Sequence, residues 1–198
     1  IQSRSVVILD LSYLSHISTG WNVRALPVAV FARQIARKAM VYARLKDQHP
    51  EDENLRKESP IVWMFIDEGH QFLPSASITP ATYPLIEWIR QGRHPGLSLV
   101  IATQMPRRLH SDVISLCDIA ISHRITAKLD LDALKNIMQT YAEDLPSRVA
   151  NLPKFRGAAL VLDDNSEQLN IFRTRPRLSK HGGADASALM DMASPDNG

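Results

Sequence analysis

The stretch "WMFIDEGHQFLP", residues 63–74, decides how the chain folds. An apolar run from Ile61 to Ile66 stops at two adjacent carboxylates, Asp67 and Glu68, followed by Gly69 and His70. A short, continuous apolar run rich in β-branched and aromatic residues reads as a buried strand. Buried strands of this kind belong to parallel sheets with helices on both faces. In such sheets ligands sit beyond the carboxyl ends of the strands, so the acids lie where chemistry is done.

Working outward, a second apolar run, "LSLVIAT" at 97–103, reads as a neighbouring strand that ends in Thr103 and Gln104. Upstream, Val6 to Leu9 reads as another buried strand, closing at Asp10. Asp10 and Ser12 either line the site or cap a turn, and capping is the simpler role. Between Leu9 and Ile61, Pro27 to Lys46 has helical spacing. Val28, Phe31, Ile35, Ala39 and Tyr42 fall on one face, Arg33, Arg37 and Arg44 on another, and Pro27 suits the first turn. The arginine face reads as solvent-facing or as a subunit interface. Residues 48–60 are a charged loop.

Thr79 and Pro80 suit a helix start, and the helix carries Leu85, Ile86 and Ile89 to an end near Gly92. Ser111 and Asp112 suit the cap of a short helix, Asp118 to Ile125 reads as a strand, and 130–140 and 143–151 read as helices. Ala158 to Leu162 and Leu169 to Thr174 form an antiparallel hairpin at one sheet edge. The predicted fold class is therefore α/β, a mostly parallel sheet flanked by helices with an edge hairpin near the C-terminus. Residues 1–177 form the folded part, and the Gly-, Ala- and Ser-rich 178–198 read as a tail.

Composition sets the outer limits. A chain of 198 residues with 44% hydrophobic and 22% charged content is an ordinary globular domain. The net charge of +2 neither requires nor excludes nucleic acid. One cysteine, Cys117, leaves no internal disulfide and fits a reducing, cytoplasmic setting. No apolar run approaches the ~20 residues that span a bilayer, so no membrane association is expected. The His and Cys residues show no metal-ligand spacing, and His70 reads as a packing or hydrogen-bonding residue.

The acids invite a nucleotide reading. A carboxylate at such a strand end can hold magnesium through water, and a neighbouring Glu can polarise an attacking water. Gln104 on the adjacent strand end is suited to sensing a terminal phosphate. Arg90 and Arg93, at a helix C-terminus, serve either the helix dipole or a neighbouring subunit's nucleotide. Arg107 and Arg108 in "MPRRLH" read as a solvated loop or as contacts to DNA phosphate.

Taken in order, "VVILDLSYLS", "WMFIDEGHQFLP", "IRQGRHPGLSLVIATQMPRRL", "DVISLCDIAISHRIT", "NLPKFRGAALVL" and "RPRLSKHGG" resemble the HerA-like hexameric ATPases, relatives of FtsK-type DNA translocases and conjugative coupling ATPases. The resemblance implies a RecA-like P-loop NTPase core in a homo-oligomeric, hexameric ring that uses ATP and Mg2+ to move double-stranded DNA, with a nuclease or effector partner. It assigns Asp67 to magnesium, Glu68 to water activation, Gln104 to phosphate sensing, and Arg90 or Arg93 to a finger acting across the subunit boundary. Departures are Met105 where the family often has Arg, "DEGH" for the DEAH-like box, and His94-Pro95 in place of a basic residue.

A larger departure is the phosphate-cradling loop. None of the eight glycines is followed by Lys, so no Gly-Lys-Ser/Thr loop is present. In the family that loop lies upstream of the "DLS" strand. With Ile at position 1, the resemblance implies the C-terminal portion of an ATPase core that is inactive alone. Two other readings stand beside it. One is a non-catalytic ring or scaffold subunit, as in antiviral defence. The other is a DExH-type helicase fragment, disfavoured because the residues after Gln104 do not supply a second RecA-like domain.

Overall fold

The computed structural model describes residues 5–14, 21–58, 61–135, 145–166, 168–176 and 178. Helix α1 (Trp21–Gln48) is followed by a short helix α2 (Glu53–Glu58) inside the stretch expected to be loop. Strand β1 (Val62–Ile66) carries the acidic pair at its end. Helix α3 (Thr82–Gln91) then leads into β2 (Leu97–Ile101). A short helix α4 (Ser111–Ser115) precedes β3 (Ile119–His123). Helices α5 (Lys128–Lys135) and α6 (Leu145–Ala150) follow, and β4 (Ala158–Asp163) and β5 (Gln168–Arg173) complete the order.

β1 and β2 pair in parallel, Val62 opposite Leu97 and Ile66 opposite Ile101. The α/β class holds, with one correction to its layout. β3, β4 and β5 form a separate antiparallel sheet in the order β3-β4-β5, so the hairpin lies beside β3 and not at the edge of the parallel pair. Val6 to Leu9 is also corrected. These residues run as irregular chain, with Val6 and Ile8 exposed, and form no ladder among the described residues. An apolar run becomes a strand only when a neighbour satisfies its backbone groups.

The two faces of β1 differ sharply. Val62 and Met64 pack toward the core, while Trp63 (60% exposed) and Phe65 (72% exposed) stack on each other, ring centroids 6.3 Å apart, on the opposite face. Among the described residues the parallel pair is thus covered on one face, not both. The covering layer is α1 against α3. Ala25, Ala29, Ala32, Ala39 and Ala43 are buried at spacings of three, four and seven, with Ala36 partly buried between them. This small-residue stripe lets α1 approach closely the large Trp88 and Leu85 of α3. Phe31, expected on the buried face, is exposed. Helix α1 also begins six residues before Pro27, which therefore sits inside it and not in its first turn.

Helix α3 starts at Thr82, two residues later than the Thr79-Pro80 reading, and Thr79 still organises its entry. Its hydroxyl donates to the Phe72 carbonyl at 2.6 Å and accepts the Ala81 N–H at 3.2 Å, while its own N–H reaches Thr82 Oγ1 at 2.9 Å. At α4 the cap is His110, whose Nδ1 accepts the Asp112 N–H at 3.2 Å, and not Ser111. A second core unites Leu134, Leu145, Val149, Leu152, Leu160 and Leu162 beneath the antiparallel sheet. The expected tail lies outside the described residues apart from Leu178, as do 136–140 and 143–144 of the two expected helices.

Candidate functional site

The parallel register brings both polar strand ends to one place. Ala102 N–H donates to the Ile66 carbonyl and Gly69 N–H to the Ala102 carbonyl, each at 2.9 Å, so the ladder continues one step past the strands. This sets Asp67 and Glu68 beside Thr103 and Gln104. Gly69 is buried against β2, and a Cβ there would run into the Ile101 side chain. The close approach accounts for Gly, and not Ala, in "DEGH".

Asp67 is exposed at the strand end, its Oδ1 accepting the Glu68 N–H at 2.9 Å. A hard oxygen donor with open surroundings fits a magnesium ion that retains most of its waters. Glu68 has φ 49° and ψ 45°, the one left-handed non-glycine among the described residues. For an L residue that conformation costs about 1–2 kcal/mol, and such strain concentrates at functional turns. It aims the Glu68 carboxylate across to the next strand end, where Gln104 Nε2 donates to Oε1 at 3.1 Å. His70 Nδ1 lies 3.4 Å from Oε2 of the same carboxylate and 2.9 Å from Thr103 Oγ1. His70, read from sequence as a packing or hydrogen-bonding residue, is thus part of the Glu68 cluster. Its position two residues after the Glu was the signal for it.

The arginines separate. Arg90 Nη2 pairs with Asp112 Oδ2 at 2.7 Å, tying α3 to α4. Arg93 is exposed in the turn after α3 and makes no ion pair among the described residues. Arg107 bonds through its N–H to Asp130 Oδ1 at 3.4 Å, with its Nε 3.7 Å from the same oxygen. Arg108 is exposed, its Nη1 3.6 Å from the Met105 sulfur. The Met at the position where the resemblance expects Arg therefore packs against an Arg three residues on. The loop bearing Arg107 and Arg108 is pinned to the segment after the acids. Ser75 N–H bonds the Arg108 carbonyl and His110 N–H bonds the Leu73 carbonyl, each at 2.8 Å. Arg33, Arg37 and Arg44 line a shallow groove with Met40, Glu87 and Trp88, away from the acids. Asp10 accepts the Ser12 N–H at 2.8 Å, which lowers its carboxyl pKa and makes it a turn-former.

Fold and comparisons place the chain in the HerA/FtsK class of P-loop ATPases. Within that class, the family model described as Zonular occludens toxin (Zot) matches residues 16–144, and the chain belongs to that family.

Among curated relatives, a DNA double-strand break repair helicase HerA from Pyrococcus furiosus is 26% identical over 211 residues, covering 96% of this chain and 38% of the relative. A probable DNA double-strand break repair helicase HerA from Methanocaldococcus jannaschii is 26% identical over 141 residues, covering 63% of this chain and 28% of the relative. The chain therefore spans roughly a third of the length of these relatives. Among solved structures, the genome packaging NTPase B204 of Sulfolobus turreted icosahedral virus 2, in complex with ATP-gammaS, aligns with a TM-score of 0.50 at 23% identity. The alignment covers 62% of this chain and 56% of B204, and the likeness is one of fold. Among the described residues no helix is long and apolar enough to cross a membrane.

Proposed function

We propose that this chain supplies the carboxylate half of the ATP site in a HerA-type motor that acts on double-stranded DNA. The observation that carries the reading is the contact between Glu68 and Gln104, residues 36 apart in sequence and joined at 3.1 Å across the ends of two parallel strands. Asp67 would hold magnesium through water, and the ion when bound would neutralise charge on the phosphates. Glu68 takes a proton from, and orients, the attacking water. Gln104 reaches the terminal phosphate, so its bond to Glu68 links phosphate sensing to the base. The arginine acting across the boundary of a hexameric ring is Arg93, because Arg90 is committed to Asp112. Arg108, exposed on a loop pinned to the acidic segment, would meet DNA phosphate, with Arg107 held beside it by Asp130. The relatives' names support DNA as the substrate, and a nuclease or effector protein as the partner completes the reading.

The test is hydrolysis of ATP with magnesium by the intact protein, with and without duplex DNA. Glu68→Gln should keep nucleotide binding and lower turnover about 10²–10⁴-fold. Normal hydrolysis by that variant would remove Glu68 from the role. Absence of Glu68-dependent hydrolysis in any assembly would leave the scaffold reading in its place.

A further inference from the structure

Glu68 is held from two sides. Gln104 Nε2 donates to Oε1 at 3.1 Å, and His70 Nδ1 stands 3.4 Å from Oε2. The same Nδ1 is 2.9 Å from Thr103 Oγ1, and that oxygen also accepts the Met105 N–H at 3.0 Å. These contacts select the imidazole tautomer. A bare Nδ1 would direct its lone pair at a region already holding a carboxylate oxygen, which is repulsive. With the proton on Nδ1, Thr103 Oγ1 accepts it and Glu68 Oε2 is the secondary acceptor.

The two sides of this clasp differ in rigidity. The His70 side chain is 12% exposed, against 33% for Glu68. His70 sits in the 3-10 turn Gly69–Gln71, whose first N–H is bonded to the Ala102 carbonyl just past β2 and which leads into buried Phe72 and Leu73. Gln104 is exposed and holds Glu68 by a single hydrogen bond from its side-chain amide. His70 is the fixed post and Gln104 the part free to leave.

We propose that His70 is a positioning residue that, together with Gln104, parks the Glu68 carboxylate so that it does not polarise water until the 103–105 segment moves. The inference rests on the reading of Glu68 as the base. While both oxygens are engaged, the carboxylate has less capacity to accept a water proton. When Gln104 turns to a terminal phosphate, Oε1 is released. The Met105 N–H on Thr103 Oγ1 passes the same movement to the acceptor that holds His70. Hydrolysis is thereby tied to a correctly seated nucleotide, and idle turnover is suppressed.

The experiment uses the intact protein and reads two quantities. The first is the nitrogen spectrum of the His70 imidazole, which reports the tautomer without any turnover. The second is ATP hydrolysis without DNA. The clasp requires a protonated Nδ1 in the nucleotide-free protein, and a bare Nδ1 would overturn it. His70→Ala should raise kcat without DNA about three- to tenfold, the worth of one modest hydrogen bond, with KM for ATP little changed. His70→Asn, which restores a side-chain N–H donor, should bring the rate back toward wild type. A structural role would lower kcat or leave it unaltered, and either result overturns the proposal. Should His70→Ala fail to fold, Thr103→Val removes the acceptor that orients the imidazole and is judged by the same sign. Absence of hydrolysis in the wild type refutes the ATPase reading itself, and the parking role with it, whereas a wrong sign in His70→Ala with normal wild-type turnover refutes only the clasp.

Discussion

Arg90 and Arg93 lie one helical turn apart, and the structure gives them different surroundings that mutation can separate. Arg90 is 57% exposed and Asp112 30% exposed, so their 2.7 Å pair is a partly solvated one. Pairs of this kind contribute about 0.2–1 kcal/mol. Losing Arg90 leaves Asp112 in contact with water, so no stranded buried charge adds to the loss. Arg90→Ala should lower Tm by no more than about 2–4 °C, the shift that 1 kcal/mol produces in a domain of this size. Turnover should change less than fivefold, or about 1 kcal/mol of barrier.

Arg93 has no ion pair among the described residues, so Arg93→Ala should leave Tm unaltered. If it is the finger, turnover should fall about 10³–10⁵-fold, or roughly 4–7 kcal/mol. The decisive assay mixes Arg93→Ala subunits with Glu68→Gln subunits, each inactive alone. In a head-to-tail ring, about a quarter of the interfaces in an equal mixture join a wild-type Glu68 to a wild-type Arg93. Activity should recover toward about that fraction if sites fire independently. No recovery on mixing, or an Arg90→Ala protein that is inactive alone and recovers on mixing while Arg93→Ala keeps its turnover, would refute the assignment.

Three further outcomes follow from particular residues. Gly69→Ala forces a methyl group into Ile101, a β-branched side chain with little freedom to turn aside, and should destabilise by about 1–3 kcal/mol in denaturant unfolding. Adding Ile101→Ala should make the effect of Gly69→Ala smaller. Glu68→Gly removes the carboxylate and also the left-handed strain, so turnover should vanish while stability holds or rises by about 0.5–1 kcal/mol. A marked fall in Tm would show that the turn depends on the side chain. Burial pushes the Cys117 thiol up from its ordinary range. Its alkylation at neutral pH should be slower than that of a free thiol and should accelerate only above the ordinary thiol pKa, as a rate-against-pH series would read.

Much of the fold was legible because local pattern and tertiary role agreed. Ile61 to Ile66 and Leu97 to Ile101 are apolar runs with polar ends, and both are strands. The hairpin of β4 and β5 was legible for the same reason, but not its partner. β3 looks equally suited to a parallel neighbour, since pairing is a choice between distant segments that share a similar pattern. Val6 to Leu9 failed for the complementary reason, as apolarity alone supplies no hydrogen-bonding neighbour. The buried face of α1 was legible at Val28, Ile35 and Ala39 but not at Phe31, because the contact with Trp88 is built largely from alanines, which carry little hydrophobic signal. Of the candidate site, the two strand ends were legible, but the left-handed Glu68 and the bridge from His70 to Thr103 were not. Both depend on contacts that sequence spacing does not encode.

What joins the legible halves is register, and register has a local cause. Gly96 has φ 77°, a conformation that glycine adopts freely, and its carbonyl accepts the Val62 N–H at 3.0 Å. That bond fixes where β2 begins against β1, and both strands then run five residues to a common edge. A slip of one residue would displace Gln104 by about 3.3 Å along the strand and turn its side chain to the other face. The 3.1 Å bond to Glu68 would not survive that movement. The turn at Gly96, at the opposite end of the strands from the acids, therefore sets the geometry of the candidate site. Gly96→Val, a β-branched residue forced into left-handed backbone, should break the Glu68–Gln104 contact before it unfolds the domain.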